Sequence, residues 1–128
     1  MSLPSLSIVI PTYNSSKTLP LCLESIAGQD YPKEKIEFII ADGGSTDSTL
    51  EIAQKYTDKI YLNPLKTGEA GKAVGVKRSK GEIIALIDSD NILPSKDWLF
   101  RMKNFEKVLS KEGDVARPLY VIKGRNPL

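Results

Sequence analysis

Three short runs rich in Val, Ile and Leu each end abruptly in small, polar or acidic residues. Leu6-Ser7-Ile8-Val9-Ile10 stops at Pro11, Ile36 to Ala41 breaks at Asp42-Gly43-Gly44, and Glu82 to Ile87 runs into Asp88-Ser89-Asp90. Runs of this length and composition read as buried strands. Helical patterns lie between them. Leu19, Cys22, Leu23 and Ile26 fall at i, i+3, i+4 and i+7, with Thr18 as the expected N-cap, Pro20 in the first turn and Gly28 at the end. Asp47 and the Ser48-x-x-Glu51 capping box open a second helix with Leu50, Ala53 and Tyr56 facing inward. Ile60-Tyr61-Leu62 reads as a brief strand near an edge. Gly68 to Lys80 reads as a glycine-rich helix. Ser95 caps a fourth helix along Trp98, Leu99, Met102, Phe105 and Leu109, and Val115 begins a last extended piece.

Strands alternating with helices imply right-handed crossovers and a parallel sheet covered on both faces. The expected fold class is therefore α/β, a Rossmann-like, mostly parallel sheet with helices on both faces. Residues 1–5 are read as an N-terminal extension and residues 6–128 as one domain. At 128 residues such a domain buries roughly two thirds of its unfolded surface.

Composition narrows the chemistry. The chain has no histidine, which excludes Ser-His-Asp and Cys-His machinery and His-based zinc sites. One cysteine, Cys22, makes no internal disulfide, and its place on the helix stripe reads as core. Eighteen basic against sixteen acidic residues, a net charge of +2 without a basic block, argue against a nucleic-acid partner. No apolar run approaches the roughly 18 residues of a membrane span, and the first residues lack the pattern of a secretion signal. The expected location is cytoplasmic, with membrane association reserved for a longer parent protein.

In open parallel sheets ligands bind beyond the carboxyl ends of the strands. Three polar clusters fall at such ends: residues 11–14, 42–47 and 88–91. Asp88 and Asp90, at a strand exit, suit a hard divalent cation such as Mg²⁺ or Mn²⁺, with positions left for phosphate oxygens; helix capping is the plainer reading. Asp42 either accepts a base N–H or closes a turn. Tyr13 either stacks on a base or packs on the first helix. Lys72 sits in the glycine-rich segment where a cation reaches a diphosphate, whereas Lys77, Arg78 and Lys80 read as a solvated face. Neither the P-loop nor the dinucleotide glycine pattern occurs.

Ser7-Ile8-Val9-Ile10-Pro11-Thr12-Tyr13-Asn14, Ala41-Asp42-Gly43-Gly44-Ser45-Thr46-Asp47 and Gly81 to Asp90 together resemble family 2 glycosyltransferases of the GT-A fold. Gln29-Asp30-Tyr31-Pro32 fits the family's turn after the first helix. The resemblance runs from Leu6 to about Leu119. It implies transfer of a sugar, with inversion, from a nucleotide-diphosphate-sugar donor (a UDP- or GDP-sugar) to a sugar, lipid or polysaccharide acceptor. Under it Pro11 and Tyr13 line the base pocket, Asp42 binds the base, and Lys72 stands where the family usually has Arg near the phosphates. Asp88 and Asp90 become the metal-associated pair, Asp90 the direct ligand. Ala73 departs from the Asn often found there. No residue is assigned as catalytic base: Asp97, Glu106 and Asp114 read as structural or solvated, and the base is expected downstream of residue 128. The chain is thus expected to be the donor-binding half of a larger enzyme, truncated before the acceptor half. Two rival readings are a haloacid-dehalogenase-type phosphatase with Asp88 as nucleophile, and a non-catalytic nucleotide-binding module.

Overall fold

The computed structural model describes residues 3–102 and 120–123. Five strands and four α-helices follow in the order β1 (Leu6–Thr12), α1 (Leu19–Ala27), a 3-10 turn (Lys33–Lys35), β2 (Ile36–Asp42), α2 (Thr49–Gln54), β3 (Ile60–Leu62), α3 (Gly68–Arg78), β4 (Ile83–Leu86), α4 (Trp98–Met102) and β5 (Tyr120–Lys123). The sheet order is β3-β2-β1-β4-β5. The first four strands are mutually parallel, in register Leu6↔Ile36, Leu6↔Ile83 and Ile40↔Ile60, and β5 runs antiparallel to β4. The expected α/β, mostly parallel architecture is the one observed. The expected helix positions Phe105 and Leu109, and the start of the last extended piece at Val115, lie outside the described residues.

Strand alternation sorts the core into two layers. Leu6, Ile8 and Ile10 face α1, where they meet Leu19, Cys22, Leu23 and Ile26, together with Ala53, Trp98 and Leu99. Val9, Ile39, Ile84 and Leu86 form the opposite layer with Val76 of α3. That second layer explains the glycines of α3. A Cβ at Gly75 would lie 2.2 Å from Val9 Cγ1, and one at Gly71 would lie 2.7 Å from Pro11 Cβ. The glycines that weaken α3 as an isolated helix are the face that lets its backbone lie directly on β1.

β1 continues two residues past Ile10. Val9 accepts the Ile87 N–H on the β4 side, so the next donor on that side would be the N–H that Pro11 lacks. On the other side, Thr12 still accepts from Gly43. Pro11 therefore ends the β1–β4 ladder while β1–β2 pairing carries on, and the two central strands part there.

Two expected caps differ from the structure. Neither Thr18 nor Ser48 makes a side-chain cap hydrogen bond. At α2 the role passes to Asp47, whose Oδ1 accepts from the Thr49 N–H and hydroxyl. The Thr49 hydroxyl holds Asp47 down to about 2. Leu50 is half-buried, and the buried positions of α2 are Thr49 and Ala53.

Candidate functional site

Where β1 and β4 part, a cleft of about 460 Å³ opens at the carboxyl end of the sheet. This is the point where the chain switches from building outward through β2 to building outward through β4, the usual ligand crevice of such sheets. Its walls come from residues 11–15 at the end of β1 and just beyond it, from Asn63 and residues 66–68 between β3 and the start of α3, and from Asp88, Ser89 and Asp90 after β4.

Four of the six residues singled out from the sequence, Pro11, Tyr13, Asp88 and Asp90, line this cleft. The loops that carry them are tied together. Ser89 Oγ lies 3.2 Å from Ser15 Oγ, and Ser15 donates its N–H to Thr49 Oγ1 at 2.7 Å. Gln29, buried between α1 and α4, donates to the carbonyls of Ser25 and Ser95 and accepts the Leu99 N–H at 2.9 Å. It thereby holds the segment that follows the acidic pair.

Asp42 and Lys72 stand one residue behind the walls. Asp42 is 3% exposed, and its carboxylate accepts from Thr12 Oγ1 (2.6 Å), Gly44 N (2.9 Å), Ser45 N (2.8 Å) and Ser45 Oγ (2.7 Å). A carboxylate offers about four lone-pair sites, and these four donors fill them. Burial alone would raise its pKa, but the bonds from Ser45, Thr12 and Gly44 hold it below the ordinary carboxylate value. Asp42 thus orders the turn after β2 and fixes Thr12, itself a cleft residue. A direct base contact requires one of these donors to turn away.

Lys72 Nζ lies 3.8 Å from Asp88 Oδ1 and 3.7 Å from Glu69 Oε2. Burial raises the pKa of Asp88, and the charges of Asp90 and Glu69 add to it against the pull of Lys72. Two carboxylates, Glu69 and Asp88, thus share one ammonium. Among the described residues no three His, Cys, Asp or Glu side chains group as a ready metal cage. Asp88 and Asp90 line the same cleft, and carboxylate oxygens are the ligand type that a hard divalent cation takes. Cys22 lies just beneath, its Sγ 3.7 Å from the Asp88 carbonyl. Burial and the charges of Asp90 and Asp88 push its thiol up to about 12, which agrees with the core reading. Asp97 accepts from Ser95 Oγ at 2.7 Å and pairs with Arg101 at the start of α4, as a structural carboxylate does. Glu106 and Asp114 lie outside the described residues.

The segment between β3 and α3 was not singled out from sequence. Asn63 is buried, donates its N–H to the Asp42 carbonyl at 2.7 Å and its Nδ2 to the Thr67 carbonyl at 2.9 Å. Thr67 caps α3 by accepting the Ala70 N–H at 3.1 Å. The only local signal was the Thr67-Gly68 start of a helix.

Comparison with known proteins gives these walls a context. The model of glycosyl transferase family 2 matches residues 7–116. The poly(ribitol-phosphate) beta-N-acetylglucosaminyltransferase TarS of Staphylococcus aureus is 39% identical over 93 residues, covering 68% of this chain. The poly(ribitol-phosphate) beta-glucosyltransferase of Bacillus spizizenii is 38% identical over 128 residues, covering 94%. The chain spans only 16% and 19% of the length of these relatives. Among solved structures, S. aureus TarS 1-349 in complex with UDP superposes with a TM-score of 0.69 at 32% identity, covering 81% of this chain and 32% of that one. The glucosyl-3-phosphoglycerate synthase of Mycobacterium tuberculosis, in complex with Mn²⁺, UDP and phosphoglyceric acid, gives 0.62 at 25% identity, covering 86% and 40%. The order of the three sequence motifs, the GT-A-type sheet and the family model agree: this chain belongs to glycosyl transferase family 2.

Proposed function

We propose that this chain forms the donor-binding part of a glycosyltransferase that moves a sugar from a nucleotide-diphosphate-sugar to a sugar, lipid or polysaccharide acceptor. One observation carries the reading. An exposed aromatic, Tyr13, and an acidic pair, Asp88 and Asp90, face one cleft at the point where the two central strands part. An aromatic face at one end and oxygen ligands at the other suit a ligand with a flat base and a charged diphosphate. Relatives solved with UDP, one of them with Mn²⁺, support the same reading.

Pro11 and Tyr13 flank the base, a uracil or a guanine. Asp42 serves it through Thr12, whose hydroxyl it orients. Asp88 and Asp90 hold a divalent cation, Mn²⁺ or Mg²⁺, Asp90 more directly because Asp88 also faces Lys72. That cation supplies Lewis-acid stabilisation of the charge that develops on the departing diphosphate. Lys72 adds a fixed positive charge beside Asp88. The stereochemical outcome, inversion, follows the family analogy. It requires a carboxylate base to activate the acceptor. A lone buried thiol and a nucleotide donor fit a cytoplasmic location. Among the described residues, no helix is long and apolar enough to cross a membrane.

The phosphatase reading gives way to the family match, since Asp88 follows the fourth strand of a glycosyltransferase sheet. A nucleotide-binding module without chemistry remains the alternative for the isolated chain. Titration calorimetry with UDP, GDP and their sugars, with and without Mn²⁺, tests the proposal. Metal-dependent binding that Asp90→Ala abolishes is expected. Failure to bind any of these diphosphates, or binding indifferent to Asp90, contradicts it.

A further inference from the structure

Among the described residues, the cleft wall carries one cation, Lys66, in the same cleft as the carboxylates of Asp88 and Asp90. Lys72 does not take that place. Its side chain is 12% exposed and its ammonium lies beside Glu69 and Asp88. Lys66 is exposed and held in a backbone conformation that lysine rarely adopts, with φ +67°. Its N–H donates to the Asn63 carbonyl at 3.1 Å, which closes the turn. Gly43 makes room for it, because a Cβ there would lie 3.1 Å from Lys66 Cα and 3.3 Å from Tyr13 Cδ1. The result of this strained arrangement is specific: Lys66 Nζ rests 5.6 Å from the centre of the Tyr13 ring.

We propose that Lys66 is the cation that receives the donor's diphosphate, parked on the Tyr13 ring in the free protein. The inference rests on the donor-site reading above. A base that stacks on Tyr13 replaces the cation–π contact and releases the ammonium. A lysine stem is flexible enough to carry its charge from the ring toward the phosphates without moving the backbone. The charge balance favours this movement. A nucleoside-diphosphate sugar brings two negative charges into a cleft that already holds Asp88 and Asp90.

The test separates phosphate from base. Wild-type chain, Lys66→Met, Lys66→Arg and Lys66→Gly are titrated with UDP and uridine, and with GDP and guanosine, in Mn²⁺ buffer at two salt concentrations. Losing a charge-assisted contact should weaken diphosphate binding about tenfold in the Met and Gly variants and flatten its salt dependence. Nucleoside binding should be unchanged or tighter, and Arg should restore the diphosphate to within about threefold. Glycine relieves the positive φ, so that variant should melt at or above the wild-type temperature and still lose the diphosphate. Diphosphate binding equal to wild type in the Met and Gly variants, or an equal loss for nucleoside and diphosphate, overturns the role of Lys66. Absence of any nucleotide binding by the wild type overturns the donor site itself, and the role of Lys66 with it.

Discussion

Gly75→Ala is the sharpest test of how α3 meets the sheet. In an exposed helix this change stabilises by about 1 kcal/mol, because alanine loses less backbone freedom on folding. Here the new methyl would start 2.2 Å from Val9 Cγ1, and the nearest atoms all belong to Val9, a residue 0% exposed in the inner strand β1. The valine cannot swing away, since Ile39, Ile84 and Leu86 fill its layer. α3 must therefore lift off the sheet. Overpacking of this kind costs ~1–3 kcal/mol and outweighs the helix gain. A contact as short as 2.2 Å puts the cost at the upper end, so after the helix gain we expect a net loss of ~2 kcal/mol, or ~7 °C in Tm for a domain of this size. Gly68→Ala is the internal control: it is in the same helix, with nothing within 4 Å of its added Cβ. That change should be neutral or stabilising by roughly 0.5 kcal/mol. Urea unfolding followed by circular dichroism measures both, with an unchanged m-value required for the comparison. A Gly75→Ala protein as stable as wild type, or two alanines with the same effect, would show that α3 does not lie on β1 as described.

Asp42 and Glu37 are both held below the ordinary carboxylate pKa, so their stabilisation is complete above about pH 4 and is lost as pH falls through their folded values. Asp42→Asn should therefore lower stability at pH 7 and flatten the acid limb of the stability curve; an acid limb identical to wild type contradicts the hydrogen-bond count at Asp42. Glu37 accepts from Ser7 Oγ (2.5 Å), Lys59 Nζ (2.7 Å) and Lys80 N (2.8 Å) at the other end of the sheet. Glu37→Ala strands these donors and should cost ~1–3 kcal/mol by chemical denaturation while leaving nucleotide affinity unchanged. With its thiol pushed up to about 12 and fully buried, Cys22 should react with Ellman's reagent at pH 8 only as fast as the protein unfolds. Rapid labelling of the native chain would refute its core placement.

The strands and the acidic pair were legible because their signals are local. A β-branched run announces a buried strand, and Asp88-Ser89-Asp90 at its end announces a loop with charge to place. Pro11 could be read as a stop, but its effect is tertiary: it ends one ladder and leaves the other, and only the strand order shows which. The α3 glycines were visible yet looked like a weakness, because their use is a contact with Val9 and Pro11, far away in sequence. Ser48 offered a textual capping box that Asp47 pre-empted with a charged acceptor one residue earlier. Asn63 and Lys66 carried no motif. They reach the cleft through the short strand β3 and a positive φ that a sequence pattern does not reveal. Asp42 stood out in the sequence as a base-binding candidate, but from sequence a carboxylate saturated by Thr12, Gly44 and Ser45 looks the same as a free one.

The central claim is the location of the donor site, and Mn²⁺ reports location directly. Paramagnetic broadening of backbone amide signals should be recorded on the isotope-labelled chain with UDP or GDP and substoichiometric Mn²⁺. The account predicts loss of signal centred on Asp88 to Asn91, extending to residues 12–15 and 66–68, and abolished by Asp90→Ala. A second cleft, bordered by Ser5, Glu34, Lys59 and Lys80 at the opposite end of the strands, should stay sharp. Broadening centred on that opposite end, or none at all with nucleotide present, would contradict the assignment of the donor site to the cleft where β1 and β4 part.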